Sequence, residues 1–392
     1  MAGRVGPNSL QTKPLTASLF PMPRILLLTA GFGEGHNTAA RCIAEALREV
    51  PGVDVRVADV YLETVPRFTK VLQAGYSLAI NKLPFIWSAI FTLLDKPGNL
   101  EKTLPLAGNL RNALKRVLEE YRPDVVVSTY PLYAFLTREL RKRGCAAAEA
   151  PLLTMITDST AINTSWYRGG SEAFLLADEE TAEVLRRGGA DQSRLKVLGF
   201  PVAPRLASLT PVEPVLEGPR KILYLPSSRA GHTIEVIREL RKLPGIEITV
   251  VTGRLKGLHA ALEASGLFDG VTTRLVGWTD KMPELLCSHH LYIGKAGGAI
   301  VHEAMAAQCP ILVSHVVPGQ EEGNIEMIER HDIGRLPAHF AAALAASVEE
   351  VFAKDGATWK RWKANLAAHA KPGASRDIAS YVLSVARGAP KA

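Results

Sequence analysis

Residues 24–50 read RILLLTAGFGEGHNTAARCIAEALREV. Ile25, Leu26, Leu27 and Leu28 form a continuous apolar run, the pattern of a strand buried on both faces of a parallel sheet. Gly31-Phe32-Gly33-Glu34-Gly35-His36 interrupts the run and opens a helix whose Ala39, Ala40, Ile43, Leu47 and Val50 share one face. Runs like the first recur at Val53–Ala58, Asp124–Thr129, Leu152–Thr157, Ala173–Ala177 and Leu195–Gly199. A second series follows at Lys221–Leu225, Ile246–Thr252, Thr273–Val276, Leu291–Gly294 and Pro310–Ser314. Longer helical patterns lie between them and supply the crossovers that parallel strands need. The chain therefore reads as α/β, with two doubly wound, Rossmann-like domains facing each other across a cleft.

The proline-rich stretch Pro204–Pro219 separates the two series and reads as a linker. The expected organisation is a flexible tail over 1–21, an N-terminal domain over 22–204 and a linker over 205–219. A C-terminal domain follows over 220–370, then a helix over 371–392 able to return to the N-terminal domain. From Phe340 the pattern is helical, and Trp359, Trp362 and Leu366 near one face predict core packing. With 392 residues, the length suits two domains. Cys42, Cys145, Cys287 and Cys309 have no CxxC spacing, which argues against a disulfide scaffold or a cysteine zinc site and fits a reducing cytosol. The 46 Lys and Arg exceed the 39 Asp and Glu, a net +7 that suits nucleotide phosphates or an anionic membrane surface. No basic–aromatic array or RNA module accompanies that charge, which speaks against nucleic-acid binding. Residues 1–21 lack the apolar core of a secretory signal, and Met22-Pro23-Arg24 leads straight into the first strand, as an over-called start or a loose tail would.

Glycines let the turn at residues 31–35 approach a ligand closely, and the following helix offers free N–H groups and a positive dipole end. A dinucleotide fingerprint requires a third glycine where His36 stands, although Asp59 resembles its ribose-binding acid. A nicotinamide or flavin site is therefore not expected. His36, at the mouth of a strand–helix loop and naturally poised near neutral pH, is a candidate general base.

The second chemically dense stretch runs from Gly277 to Asn324. It contains Gly277-Trp278-Thr279-Asp280, the strand Leu291–Gly294, Lys295-Ala296-Gly297-Gly298, a helix carrying Glu303, and Pro318-Gly319-Gln320-Glu321-Glu322-Gly323-Asn324. Gly297-Gly298 at a strand-to-helix turn is an anion site by the same dipole physics, with Lys295 as an adjacent cation. Glu303, about one and a half turns into the helix, is close enough to reach a ribose attached to a diphosphate at the helix N-terminus. Gln320, Glu321 and Asn324 form a polar cluster suited to sugar hydroxyls.

In that order and spacing, these motifs resemble the family 28 GT-B glycosyltransferases, in the branch of monogalactosyldiacylglycerol synthases and processive diacylglycerol glucosyltransferases. Gly33-Glu34-Gly35-His36, Thr157-Asp158 with Trp166, and Gly199-Phe200-Pro201-Val202 resemble that branch in the N-terminal half. The likeness covers roughly residues 22–335 and implies a GT-B fold. It further implies inverting transfer of a hexose or N-acetylhexosamine from a UDP-sugar to a lipid acceptor such as diacylglycerol. His36 would be the base, with Asp158 as second candidate or orienting partner. The donor would lie against Gly253, Arg254, Gly277, Trp278, Lys295, Gly297, Gly298, Glu303, Gln320, Glu321 and Asn324, and the acceptor against Gly33, Gly35, Asn163 and Trp87. No Asp-x-Asp pair is present, so no catalytic metal and no cofactor is implied; the UDP-sugar is a substrate.

Three departures from the branch stand out. Asn163 occupies a usual His position, Leu255 follows Gly253-Arg254 where an Asn is usual, and Pro226–His232 replaces a glycine-rich loop. In that loop Arg229 or His232 would substitute for backbone N–H groups. The segment Val71–Leu94 bears Tyr76, Phe85, Trp87 and Phe91 between Lys70, Lys82 and Lys96. Polar residues and Pro84 make it unfit to span a bilayer. It reads either as a buried helical hairpin or as an interfacial segment, and the resemblance favours peripheral contact with the inner face of the membrane. Two other classes stay open: a GT-B nucleotide-sugar epimerase or hydrolase, and a non-catalytic nucleotide-sugar or lipid binder.

Overall fold

The computed structural model describes residues 22–31, 34–64, 107–158, 162–227, 229–316, 321–338 and 340–388. Gly33, Trp87, Gln320, the Val71–Leu94 segment and Pro318-Gly319 lie outside the described residues.

The first series of apolar runs forms β1 (Arg24–Thr29), β2 (Asp54–Asp59), β3 (Val125–Ser128), β4 (Leu152–Met155), β5 (Ala173–Leu176) and β6 (Leu195–Val197). They make one six-stranded sheet in the order β2-β1-β3-β4-β5-β6, with every pair parallel. Ile25 pairs with Val55 on one side and Val125 on the other, so β1 is central, as its unbroken apolar run requires. The second series forms β7 (Arg220–Tyr224), β8 (Ile246–Val251), β9 (Thr273–Val276), β10 (Leu291–Lys295) and β11 (Ile311–His315). A further strand, β12 (Gly334–Arg335), has only two residues and left no run to read in the sequence. This sheet runs β9-β8-β7-β10-β11-β12, again parallel. The order reverses beside β1 in the first sheet and between β7 and β10 in the second, which opens a crevice at each carboxyl end.

In the first domain the helices are α1 (Glu34–Arg48), α2 (Val60–Thr64), α3 (Gly108–Tyr121), α4 (Leu132–Lys142) and α5 (Glu179–Arg187). In the second they are α6 (Ala230–Leu240), α7 (Lys256–Glu263), α8 (Met282–Ser288), α9 (Gly298–Ala306) and α10 (Glu322–Arg330), followed by α11 (Ala341–His369) and α12 (Ala374–Ala386). On α1, Ala39, Ala40, Ile43 and Leu47 are buried, as the periodicity predicts. Asp178 caps α5 by accepting the Thr181 N–H at 2.7 Å. Asp59, which resembled a ribose-binding acid, instead accepts N–H bonds from Gly31 at 2.9 Å and Leu62 at 3.1 Å. Its carboxylate thereby fixes the turn after β1 and the start of α2.

The proline-rich segment carries a 3₁₀ turn, Pro204–Ser208, with Pro204 and Leu206 buried. α11 is broken by non-helical residues at Ala353–Gly356, so the pattern from Phe340 is two helical pieces. Trp359, Trp362 and Leu366 are buried in the core. The Trp359 indole donates to the carbonyl of His290 at 2.6 Å and that of Trp362 to Asp332 at 2.8 Å, so burial leaves neither N–H unpaired. α12 packs on α1, with Arg376 Nε 2.7 Å from Glu49 Oε2 and the Ser375 hydroxyl donating to the Val202 carbonyl. Gly199 makes that return possible. It has φ of +101°, and a Cβ there would stand 2.7 Å from the Cβ of Ala374. No helix among the described residues is long and apolar enough to cross a membrane.

Candidate active site

His36 is the third residue of α1, directly above the carboxyl end of β1. Its Nδ1 lies 2.8 Å from the hydroxyl of Thr157, which leaves the sheet just after β4. The Thr129 hydroxyl, just beyond β3, donates to the His36 carbonyl at 3.1 Å. The crevice between β1 and β3 thus fixes both the backbone and the ring of this histidine. Tyr130 stands edge-on to the ring at 5.3 Å and Trp166 lies tilted at 5.9 Å.

Asp158 follows Thr157, and its Oδ2 accepts the indole N–H of Trp166 at 2.6 Å. Burial lowers the basicity of His36, and the negative charge of Asp158 pulls it back up. Burial likewise raises the carboxyl of Asp158, against the charge of His36 and the Trp166 bond. A neutral imidazole beside a carboxylate that stabilises its protonated form has the electrostatics of a general base and its partner.

Asn163 caps the 3₁₀ turn Thr164–Trp166, and its Oδ1 accepts the Ser165 N–H at 2.9 Å. It is buried, so its structural work is to present Trp166 to Asp158. Gly35 lies in the first turn of α1, beside His36.

The second domain brings α9 to the same place. Gly297 is the extended N-cap of α9, after β10 and Ala296. Gly298 approaches the first domain so closely that a Cβ there would lie 3.4 Å from the carbonyl oxygen of Thr157. The free N–H end of α9 therefore faces the loop carrying Asp158, a concentration of positive dipole beside the histidine. Lys295 Nζ stands 3.9 Å from Oε1 of the buried Glu321. Asn324 donates from Nδ2 to the Ala296 carbonyl at 2.8 Å, supporting the turn from below.

Gly253, Arg254, Gly277 and Trp278 stand on the other side of β7, after β8 and β9. The Arg254 guanidinium lies 6.0 Å over the Trp278 ring and 4.0 Å from the Glu34 carboxylate on α1. Trp278 is 62% exposed, an unusual state for so large an apolar side chain. Arg229, the N-cap of α6, and His232 lie after β7, between these two groups.

Glu303 is buried in the seam between the domains, and burial raises its carboxyl to about 7 against the pull of Arg41 and Arg205. Thr129 and Tyr130 are site features the sequence reading did not assign, and Thr157 entered it through the Thr157-Asp158 motif with no role for its hydroxyl. Only their position at strand ends could have signalled them. Among the described residues no group of three or more His, Cys, Asp or Glu side chains is gathered as a metal ligand set.

Comparisons with known proteins bear on the family and the fold. The model of the monogalactosyldiacylglycerol (MGDG) synthase family matches residues 36–202. A processive diacylglycerol beta-glucosyltransferase of Bacillus subtilis (strain 168) is 26% identical over 316 residues, covering 78% of this chain and 81% of that protein. Among solved structures, the glycotransferase of kitacinnamycin superposes with a TM-score of 0.60 at 14% identity, covering 93% of this chain and all of that one. MurG of Acinetobacter baumannii superposes with a TM-score of 0.59 at 13% identity, covering 92% and 99%. The architecture is the GT-B fold, and the resemblance to glycosyldiacylglycerol synthases read in the motifs extends over most of the chain.

Proposed function

We propose that this chain is a glycolipid hexosyltransferase. It would move a hexose or N-acetylhexosamine from a UDP-sugar to the hydroxyl of a lipid acceptor such as diacylglycerol, with inversion at the anomeric carbon. The observation that carries this reading is the meeting of His36, Thr157 and Asp158 with the N-terminus of α9 at Gly298. A base and an anion site in one crevice match the two charges that develop during glycosyl transfer.

In this reading the diphosphate lies against the N–H groups of Gly297 and Gly298, with Lys295 beside it. Arg254 and Trp278 flank the nucleotide side, while Glu303, buried in the seam between the domains, makes no contact with the donor. The acceptor hydroxyl approaches from the His36 side. As its oxygen bonds to the anomeric carbon, its proton passes to the imidazole nitrogen not engaged by Thr157, and Asp158 stabilises the imidazolium. The bond to UDP breaks, and the growing negative charge falls on the diphosphate at α9. Each step uses a dipole or charge fixed before reaction, which is where electrostatic catalysis is largest.

The acceptor is lipid in this proposal because the sequence relatives carry that specificity in their names. The net charge of +7 and the basic-flanked Val71–Leu94 segment support peripheral binding to the anionic inner face of a membrane. UDP-glucose, UDP-galactose and UDP-N-acetylglucosamine, each offered with membrane lipid extract and read by mass spectrometry, test the reading. A new glycolipid with one donor is expected. Free sugar or an epimerised nucleotide sugar without glycolipid would overturn it. Flotation with anionic liposomes at low salt tests the membrane claim, and no binding would remove it.

A further inference from the structure

One side chain on α9 serves neither the catalytic pair nor the donor list, yet it touches both halves of the molecule. His302 lies one turn inside the helix, and its Nδ1 is 2.8 Å from the carbonyl oxygen of Gly298. A carbonyl can only accept, so Nδ1 carries the proton. The ring is 8% exposed and burial lowers its basicity, which keeps it neutral and leaves Nε2 a bare acceptor. That nitrogen is buried without a hydrogen-bond partner among the described residues. The ring also stacks on Phe200 of the first domain, with centroids 4.4 Å apart and planes at 15°.

An unpaired buried nitrogen is a cost that an apolar side chain of the same size would avoid. The Gly298 carbonyl already receives the helical N–H of residue 302, so regular helix geometry does not need the imidazole. What the imidazole adds is position. Gly297-Gly298 is the most pliable backbone in the helix entrance, and His302 ties it to Phe200 in the Gly199–Val202 turn that α12 locks in place.

We infer that His302 is a positioning residue for the nucleotide diphosphate. Through its Nδ1–H it fixes the Gly298 carbonyl, and with it the first turn of α9, so that the N–H groups at Gly297 and Gly298 are aimed before the donor arrives. This rests on the donor reading of that turn.

Two substitutions in the full chain separate the hydrogen bond from the stack. His302→Phe keeps an aromatic ring against Phe200 and removes the donor. His302→Asn places an N–H near the position of Nδ1. UDP binding followed by calorimetry is expected to weaken about fivefold in H302F and to stay within about twofold of wild type in H302N, the scale of one hydrogen bond. The KM for the UDP-sugar is expected to rise in H302F with kcat nearly unchanged. Its melting temperature should not fall below that of H302N, a pattern a purely structural role would not produce. In the wild-type protein, long-range proton–nitrogen spectra should find His302 as the Nδ1–H tautomer. Equal UDP affinity in H302F and wild type, equal weakening in both variants, or an Nε2–H tautomer would each overturn the inference. A wild-type chain that binds no UDP would remove the donor reading itself and this role with it, while the tautomer would still report on the Gly298 bond.

Discussion

Trp166 donates its indole N–H to Asp158 at 2.6 Å, and the two residues are set at that distance by a short turn that Asn163 caps. The bond favours the ionised form of Asp158 in a setting where burial favours the neutral one. Trp166→Phe keeps most of the buried ring and removes the donor. Turnover is expected to fall about ten- to a hundredfold, the worth of one hydrogen bond to a charged group, with UDP affinity unchanged. Steady-state kinetics beside UDP titration check this; an unchanged kcat would mean that Trp166 only packs.

Removal of the base should be far more severe. His36→Ala is expected to lower kcat by a factor on the order of 10² to 10⁴ while leaving UDP binding within about twofold. In the proposed mechanism, the reaction needs neutral His36. Burial brings its pKa below the ordinary 6.5, so activity should persist as the pH drops to 6.5 and fall only on the acid side of that value. A pH–rate profile of kcat/KM whose acid limb lies well above 6.5 would contradict this.

Glu303 makes stability depend on pH in an unusual direction. Its folded pKa is about 7 against an ordinary 4.5, so the folded state holds a proton that the unfolded chain releases. The stability it contributes is present below about pH 4.5 and is lost as the pH rises through about 7. The loss amounts to about 3 kcal/mol as an order of magnitude. Thermal melts between pH 5 and pH 8 should show wild type losing stability relative to Glu303→Gln. Parallel melting curves would show that the carboxyl is not held protonated.

Lys295 should separate binding from acid–base chemistry. Lys295→Met removes the cation beside Gly297 and keeps the aliphatic stem. The KM for the UDP-sugar is expected to rise about ten- to a hundredfold, as for a lost charge-assisted hydrogen bond. The acid limb of the profile should stay in place, because His36 is untouched.

Gly199 tests the return of the C-terminal helix. Gly199→Ala imposes a left-handed conformation on a side chain whose Cβ would meet Ala374, and is expected to cost about 1–3 kcal/mol. Chemical denaturation measures the loss, and limited proteolysis should show cleavage near residues 370–373 before the rest of the chain.

The parallel strands were legible because strands buried on both faces must be apolar without interruption, as Ile25–Leu28 and Val125–Val127 are. β12 was not legible, because two residues carry no period. The glycine turn at Gly297-Gly298 and the histidine at residue 36 were visible as residue types at strand-to-helix junctions. The role of Asn163 was not, since a side chain that caps a turn and one that meets a ligand look alike in a sequence.

By itself, then, the sequence determined the α/β architecture, its two series of strands, and the two loops whose residue types suit charge chemistry. These are local properties of spacing and side-chain type. Only the tertiary structure decided that Thr157 grips His36, that Gly298 faces the Thr157 carbonyl, and that His302 stacks on Phe200. Those contacts join residues more than a hundred positions apart. They arise from the packing of two sheets and of the helix that crosses back between them, and no local pattern encodes that packing.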